Sequence, residues 1–139
     1  MKEDLDDLFW CSVEKSLDDK YIFFGSVSME TSEVWYLATD EEGTVSEMKC
    51  VAPRRNKVLY EVEHGHGQWW ISTNVDKSPN MKLMIAPANP DSASEWELVE
   101  DASGNTIFDG SLAKSLDSVT VLNTHIVIQG RADGIPRVW

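Results

Sequence analysis

Basic residues are scarce in this chain, and their scarcity excludes one large class of function. The sequence contains 12 Lys and Arg against 24 Asp and Glu, which gives a formal net charge of −12 and a pI near 4.5. Binding to a phosphate backbone requires a surface rich in Lys and Arg, so nucleic acid is excluded as a partner. Negative charge attracts cationic peptides instead, although it also serves solubility alone.

Cysteine is equally sparse, and no long apolar run is present. Cys11 and Cys50 lie in strand-like segments without CxxC or CxxH context, which predicts two buried free thiols rather than a disulfide or a metal site. The acidic start, Met1–Asp7, has no apolar core, so it is not expected to be a signal peptide. No segment approaches membrane-spanning length. We therefore expect a cytoplasmic protein that makes no contact with membranes.

Long amphipathic helices are also missing, and strand patterns take their place. Short runs rich in β-branched and aromatic residues alternate with polar turns, which predicts an all-β fold of antiparallel sheets. One pattern occurs three times at intervals of roughly 45 to 55 residues, a spacing typical of four-stranded β-propeller blades. Its copies begin at Tyr21–Ser26, Trp69–Asn74 and His125–Gly130, and they continue into Glu33–Leu37, Lys82–Ala86 and Ile135–Trp139.

This repeat divides the chain into about two and a half blades. We predict a first blade over 7–52, a second over 57–101 and an incomplete third over 106–139, with no catalytic domain in this chain. The stretch 101–115 is ambiguous and fits a short edge strand followed by a turn of helix. Because blades bury their faces against neighbouring blades, uncovered faces predict self-association or marginal folding.

No catalytic apparatus is recognisable in the sequence. Neither Gly25-Ser26 nor Gly110-Ser111 has the G-x-S-x-G frame of an exposed nucleophile. His64-Gly65-His66 brings two imidazoles close together, but its glycines favour a hairpin turn over a metal site. His125 begins a strand and is expected at the surface or at the edge of the core. The sequence therefore predicts no catalytic, cofactor-binding or metal-binding residue, and no cofactor.

A set of ordered segments carries a family resemblance. The segments are Thr31–Leu37, Pro53–Arg55, Tyr60–His64, Ile71–Asn74, Asn80–Leu83 and Ile126–Gly134. Together they resemble the N-terminal propeller of oligopeptidase B enzymes, within the prolyl oligopeptidase family of serine peptidases. The resemblance implies a propeller that caps an α/β-hydrolase domain and admits short peptides to a Ser-Asp-His triad, with cleavage after Arg or Lys. Nothing here matches that triad, so no catalytic residue is carried over.

The resemblance favours one function and leaves a second open. The first is a non-catalytic propeller segment that gates access of short basic peptides to a hydrolase domain of the same family. Glu33, Glu61, Glu63 and Asp76 are candidates for an acidic passage wall, and each is equally consistent with a solvated surface carboxylate. The alternative is a stand-alone β-sheet interaction module, or a gene remnant without peptidase activity. Self-association through exposed blade faces is expected in either case.

Overall fold

The computed structural model describes residues 8–89 and 95–139, and these form three antiparallel β-sheets. The first sheet, blade 1, contains β1 (Trp10–Lys15), β2 (Tyr21–Val27), β3 (Ser32–Ala38) and β4 (Lys49–Ala52). Blade 2 contains β5 (Tyr60–Gly65), β6 (Gln68–Thr73), β7 (Lys82–Pro87) and β8 (Glu97–Leu98). Blade 3 contains β9 (Lys114–Val121), β10 (Ile126–Ala132) and β11 (Ile135–Val138). Within each blade, strands that follow one another in the chain are neighbours in the sheet.

The all-β prediction is confirmed, as is the antiparallel arrangement in four-stranded blades. The predicted bounds of the three blades stay predictions, and the three sheets lie inside them. One short 3₁₀ turn, Val75–Lys77, interrupts the strands of the described residues. No helix in that part of the chain is long and apolar enough to cross a membrane.

Two hairpins have the tightest connection that antiparallel strands permit. His66-Gly67 joins β5 to β6, and Asp133-Gly134 joins β10 to β11. All four residues have positive φ, between 52° and 77°, which is the geometry of a type I′ turn that follows the twist of the flanking strands. The first hairpin corrects the predicted turn at His64–His66, because His64 belongs to β5 and only His66 enters the turn.

The three blades stack face to face, and strand alternation divides each blade between two cores. The core between blades 1 and 2 contains Phe23, Val34, Tyr36, Tyr60, Trp69 and Ile71. The core between blades 2 and 3 contains Leu83, Val99, Phe108, Leu116 and Ile128. In β6 the alternation is clear, because Trp69 and Ile71 belong to the first core whereas Trp70 packs against the second.

This stacking corrects the predicted overlay of the repeats. The overlay aligned Phe23 with Ile71, yet Phe23 faces from blade 1 toward blade 2 and Ile71 faces from blade 2 toward blade 1. Since side chains alternate with a period of two, the overlay of these two copies is displaced by one residue. The overlay of blade 1 on blade 3 is in register. It aligns Phe24 with Ile128, and both side chains lie on the face opposite to the one that points toward the next blade in the chain.

Other local predictions were wrong in part. The stretch 101–115 has turns and isolated bridges, Glu100 with Thr106 and Lys82 with Asp109, and no helical turn. Cys50 is half-buried, but Cys11 is exposed because β1 is an edge strand and Cys11 points away from blade 2. Neither Cys11 nor Cys50 forms a disulfide.

Tyr60, the first residue of β5, connects blade 2 to blade 1 through hydrogen bonds. Its hydroxyl accepts a hydrogen bond from the Val34 N–H (2.8 Å) and donates one to the Ala52 carbonyl (2.6 Å). Its backbone N–H donates to Ser32 Oγ (2.6 Å), and that hydroxyl donates back to the Tyr60 carbonyl (3.0 Å). Burial raises the pKa of the phenol, so the tyrosine stays neutral in the folded protein.

Replacing Tyr60 with Phe is expected to destabilise the chain by about 1–3 kcal/mol, because the Val34 N–H and the Ala52 carbonyl lose a buried partner. Urea unfolding followed by circular dichroism measures the loss. An unchanged midpoint would show that water or a backbone shift replaces the hydroxyl.

Candidate functional site

The first strand of every blade lies at the same edge of its sheet, and these three strands meet at one cavity. β1, β5 and β9 each pair with only one other strand in the described part of the chain. Ser12 and Glu14 of β1, Glu61 and Glu63 of β5, and Val119 of β9 all line a cavity of about 240 Å³. Three carboxylates around one space make this acidic cavity the candidate functional site.

Strand alternation explains why the carboxylates collect there. In β5, Tyr60, Val62 and His64 point into the core with blade 1, which leaves Glu61 and Glu63 on the opposite face with Trp70 and Ser72. In β1, Ser12 and Glu14 pair with Gly25 and Phe23 and share their face. The cavity thus has an apolar floor and an acidic rim; the apolar members of its lining are Phe23, Val27, Val34, Val62, Trp70 and Val119.

The carboxylates of the rim differ in their surroundings. Glu61 is exposed, and no described side chain forms a hydrogen bond or ion pair with it. Glu63 is half-buried, and burial raises its pKa. The hydrogen bond from the backbone N–H of His64 (2.8 Å) opposes that rise, and the charges of Asp18 and Glu14 add to it. Glu61 therefore has more freedom than Glu63 to bind a cation.

The other two predicted acids lie elsewhere. Glu33 is on the opposite face of blade 1, where it accepts hydrogen bonds from Trp35 Nε1 (2.7 Å) and the Arg54 backbone N–H (3.0 Å). Asp76 is exposed in the 3₁₀ turn, and the hydrogen bond from Lys82 Nζ (2.8 Å) lowers its pKa. The structure therefore brings together two of the four predicted residues and adds Glu14, which the sequence analysis did not single out.

Within residues 8–89 and 95–139, no serine hydroxyl forms a hydrogen bond with a histidine ring. His64 Nδ1 lies 2.6 Å from Asp18 Oδ2, and Ser16 Oγ donates to Asp18 Oδ1 at 2.7 Å. Both groups therefore contact the carboxylate rather than one another, whereas nucleophilic catalysis requires the hydroxyl against the imidazole. His125 is exposed just before β10, as expected, and its Nδ1 lies 2.7 Å from Thr124 Oγ1.

Comparison with known proteins identifies the family. The family model of the prolyl oligopeptidase N-terminal β-propeller domain matches residues 1–139. The chain belongs to the prolyl oligopeptidase family. It is 31% identical over 137 residues to Protease 2 of Moraxella lacunata, a match that covers 99% of this chain. The predicted resemblance to oligopeptidase B is confirmed.

Solved structures of family members have the same fold. Oligopeptidase B from Trypanosoma brucei superimposes with a TM-score of 0.80 at 32% identity over 98% of this chain. Oligopeptidase B from Leishmania major gives 0.78 at 30% identity over 99%. The chain spans 18% of the length of Protease 2 and of each of these two enzymes. It therefore corresponds to one part of the family's N-terminal propeller domain.

Proposed function

We propose that this propeller segment gates the access of short basic peptides to an α/β-hydrolase domain of the prolyl oligopeptidase family. The observation that supports the proposal is the acidic cavity, where the open edges of β1, β5 and β9 present Glu14, Glu61 and Glu63 to one space. In this role the segment holds no catalytic group. It forms part of the wall of the passage through which a peptide reaches the hydrolase domain of a cytoplasmic peptidase.

Electrostatics favour cationic side chains at this wall. An opposite charge at about 4 Å contributes about 1 kcal/mol in bulk water and about 4 kcal/mol at an effective dielectric constant of about 20. Glu61, which lies beside the apolar groups Val62 and Trp70, is suited to hold the head group of an Arg or Lys while the stem contacts the apolar floor. The net charge of −12 adds a long-range attraction of the same sign.

A peptide titration tests the proposal. We expect an Arg-containing peptide of about five residues to shift the amide resonances of β5. The same peptide with Glu in place of Arg is expected to leave these resonances unchanged. Glu61→Gln is expected to weaken binding about fivefold, which corresponds to about 1 kcal/mol. Binding must also weaken as salt rises, because the rim is exposed to solvent.

Glu97→Gln is the matched control for this titration. Glu97 is an exposed residue of β8, the outer strand of blade 2, and its replacement removes the same charge far along the sheet from β5. If Glu97→Gln and Glu61→Gln weaken binding equally, net charge and not the cavity attracts the peptide, and the gating role is wrong.

An apolar row on the outer face of blade 1 supports the alternative function, a stand-alone interaction module. Cross-strand pairs align Val13, Phe24, Trp35 and Cys50 in one row on the face that points away from blade 2. Val13 is 65% exposed in this row. We propose that the isolated chain associates through this face, since its burial contributes about 25 cal/mol per Å².

Sedimentation over a hundredfold range of concentration, which spans about 2.7 kcal/mol of association free energy, tests this association. The average mass is expected to rise with concentration, and Val13→Glu is expected to suppress the rise. A monodisperse monomer with a cooperative, high melting transition would contradict it.

A further inference from the structure

Hairpin geometry determines which backbone groups of β5 face the open edge of blade 2. The turn between β5 and β6 has two residues, so the residues that flank it form a hydrogen-bonded pair, and such pairs alternate with non-bonded pairs along antiparallel strands. The odd-numbered residues of β5 therefore point their backbone N–H and C=O toward β6. The even-numbered residues, Tyr60, Val62 and His64, point these groups away from β6 and toward the open edge.

Side chains bind the outward N–H groups at the two ends of β5. The N–H of Tyr60 donates to Ser32 Oγ (2.6 Å), and that hydroxyl donates to the Tyr60 carbonyl (3.0 Å). The N–H of His64 donates to Oε1 of Glu63 (2.8 Å). Among the residues that the structure describes, none forms a hydrogen bond with the N–H or the C=O of Val62. The edge of β5 therefore offers a donor and an acceptor at Val62.

These two backbone groups belong to the acidic cavity. Val62 is part of the cavity lining, as are Glu61 and Glu63 on either side of it. Side chains alternate along a strand, so both glutamates point to the face opposite to the Val62 side chain. That side chain packs against the core with blade 1, from which Phe23 and Val34 also line the cavity. A ligand at Val62 therefore meets carboxylates on one face and apolar groups on the other.

We propose that Val62 is a main-chain docking point, where an extended peptide adds to the open edge of β5 as an antiparallel strand. One residue of the peptide donates its N–H to the Val62 carbonyl and accepts a hydrogen bond from the Val62 N–H, which is the exchange made by a hydrogen-bonded antiparallel pair. This mode of binding rests on the proposed gating function and specifies how the peptide lies on the wall.

The pairing predicts a basic–apolar–basic peptide sequence. The peptide residues before and after the paired residue lie opposite Glu63 and Glu61, with Cβ atoms about 4.5–5.5 Å apart. Their side chains point to the acidic face, so Arg or Lys at both positions brings a positive charge to each carboxylate. The side chain of the paired residue points toward Phe23 and Val34, which favours an apolar residue there.

The open edges of β1 and β9 lack this combination of groups. On β1, Ser12 and Glu14 lie on the cavity side, and only one of them is an acid. On β9, Ser118 and Thr120 flank Val119 and carry no charge. Among the first strands of the three described blades, β5 alone therefore places two carboxylates around an open donor and acceptor.

Hydrogen exchange of the full chain tests the open edge without any peptide. We expect the Val62 amide to exchange at least about tenfold faster than the amides of Glu61 and Glu63, because the hydrogens of those two residues point to β6. A Val62 amide as protected as its two neighbours would overturn the proposal, since no free donor would then exist.

Two end-blocked peptides of identical composition and charge test the register. Ala-Arg-Val-Arg-Ala places both arginines on the acidic face, whereas Ala-Arg-Arg-Val-Ala places only one there. We expect the first to bind about fivefold more tightly, which corresponds to about 1 kcal/mol, and to slow hydrogen exchange at Val62. Equal affinity of the two peptides would overturn the docking mode and leave charge-driven gating in place. If neither peptide binds, the gating function is wrong as well.

N-methylation of the first peptide separates backbone pairing from charge. A methyl group on the valine nitrogen removes the donor to the Val62 carbonyl, and we expect it to weaken binding about tenfold. The matched control has the methyl group on the nitrogen of the second arginine, whose N–H points away from β5, and its affinity is expected to stay within about twofold. Equal losses would overturn the proposal. Every measurement uses the wild-type chain, so none depends on a variant that must fold.

Discussion

Trp69→Ala is expected to abolish the cooperative unfolding transition of this chain. Trp69 is 1% exposed, and its ring lies 4.8 Å from that of Tyr21, 4.9 Å from that of Tyr36 and 5.7 Å from that of Phe23. Removing a buried aromatic side chain costs about 3–5 kcal/mol. The free energy of unfolding of a whole domain is only about 5–15 kcal/mol, so this one substitution removes a large fraction of it.

Trp10→Ala is the matched control for this prediction. Trp10 is 67% exposed at the start of β1, and its removal is expected to change the unfolding free energy by less than about 0.5 kcal/mol. Urea unfolding of both variants, followed by circular dichroism, makes the comparison. Equal losses in the two variants would show that the two blades are not held by the Trp69 core.

Trp69→Phe separates packing from hydrogen bonding at the same position. The indole Nε1 of Trp69 is buried and has no hydrogen-bond partner among the described residues. Phe keeps most of the ring contacts and removes an unsatisfied donor, whose burial is unfavourable by about 1–3 kcal/mol. We expect Trp69→Phe to lose much less stability than Trp69→Ala.

Gly130→Ala is expected to break the pairing of β9 with β10. A Cβ atom at Gly130 would lie 2.1 Å from the backbone oxygen of Ser115 on β9. That oxygen belongs to the paired strand, so no side-chain rotation relieves the clash. We expect a loss of about 3 kcal/mol or more, at the upper end of what overpacking produces, with blade 3 affected first. Hydrogen exchange resolved by strand measures it.

Alanine substitutions at two other glycines are expected to destabilise the chain less than Gly130→Ala. At Gly65 the added Cβ meets the branched side chain of Val121 at 2.2 Å, and at Gly25 it meets Ser12 Oγ at 2.7 Å. The Ser12 hydroxyl can rotate away, whereas a valine between two blades has less freedom. The expected order of destabilisation is Gly130→Ala, then Gly65→Ala, then Gly25→Ala. A Gly25→Ala variant as unstable as Gly130→Ala would contradict the steric account.

Local chemistry made most strands predictable. β2 spans Tyr21–Val27 and contains the predicted segment Tyr21–Ser26, because aromatic and β-branched residues fill it and polar turns bound it. Asp133-Gly134 had the composition of a type I′ hairpin, and the structure has the φ angles that this turn requires. In both cases the determining interactions lie within a few residues of one another.

Long-range contacts were less accessible to sequence reasoning. Nothing local shows that His64 lies in a strand beside Asp18, 46 positions earlier, or that Glu14 shares a cavity with Glu61. Glu33 is a strand residue like Glu61, and the stacking of the blades separates the two. Strand alternation predicts that Trp69 and Trp70 of β6 point to opposite faces of the sheet. Only the neighbouring blades determine which of the two is fully buried.

The mass of the native polypeptide tests the central claim, that this chain works as a propeller segment of a larger peptidase. An antibody raised against these 139 residues would identify the polypeptide in a lysate of the source cells. Since the chain spans 18% of the length of Protease 2 of Moraxella lacunata, we predict a band several times larger than 15.7 kDa, with cleavage after Arg or Lys in the purified species. A single band near 15.7 kDa would contradict the account and leave the interaction module as the function.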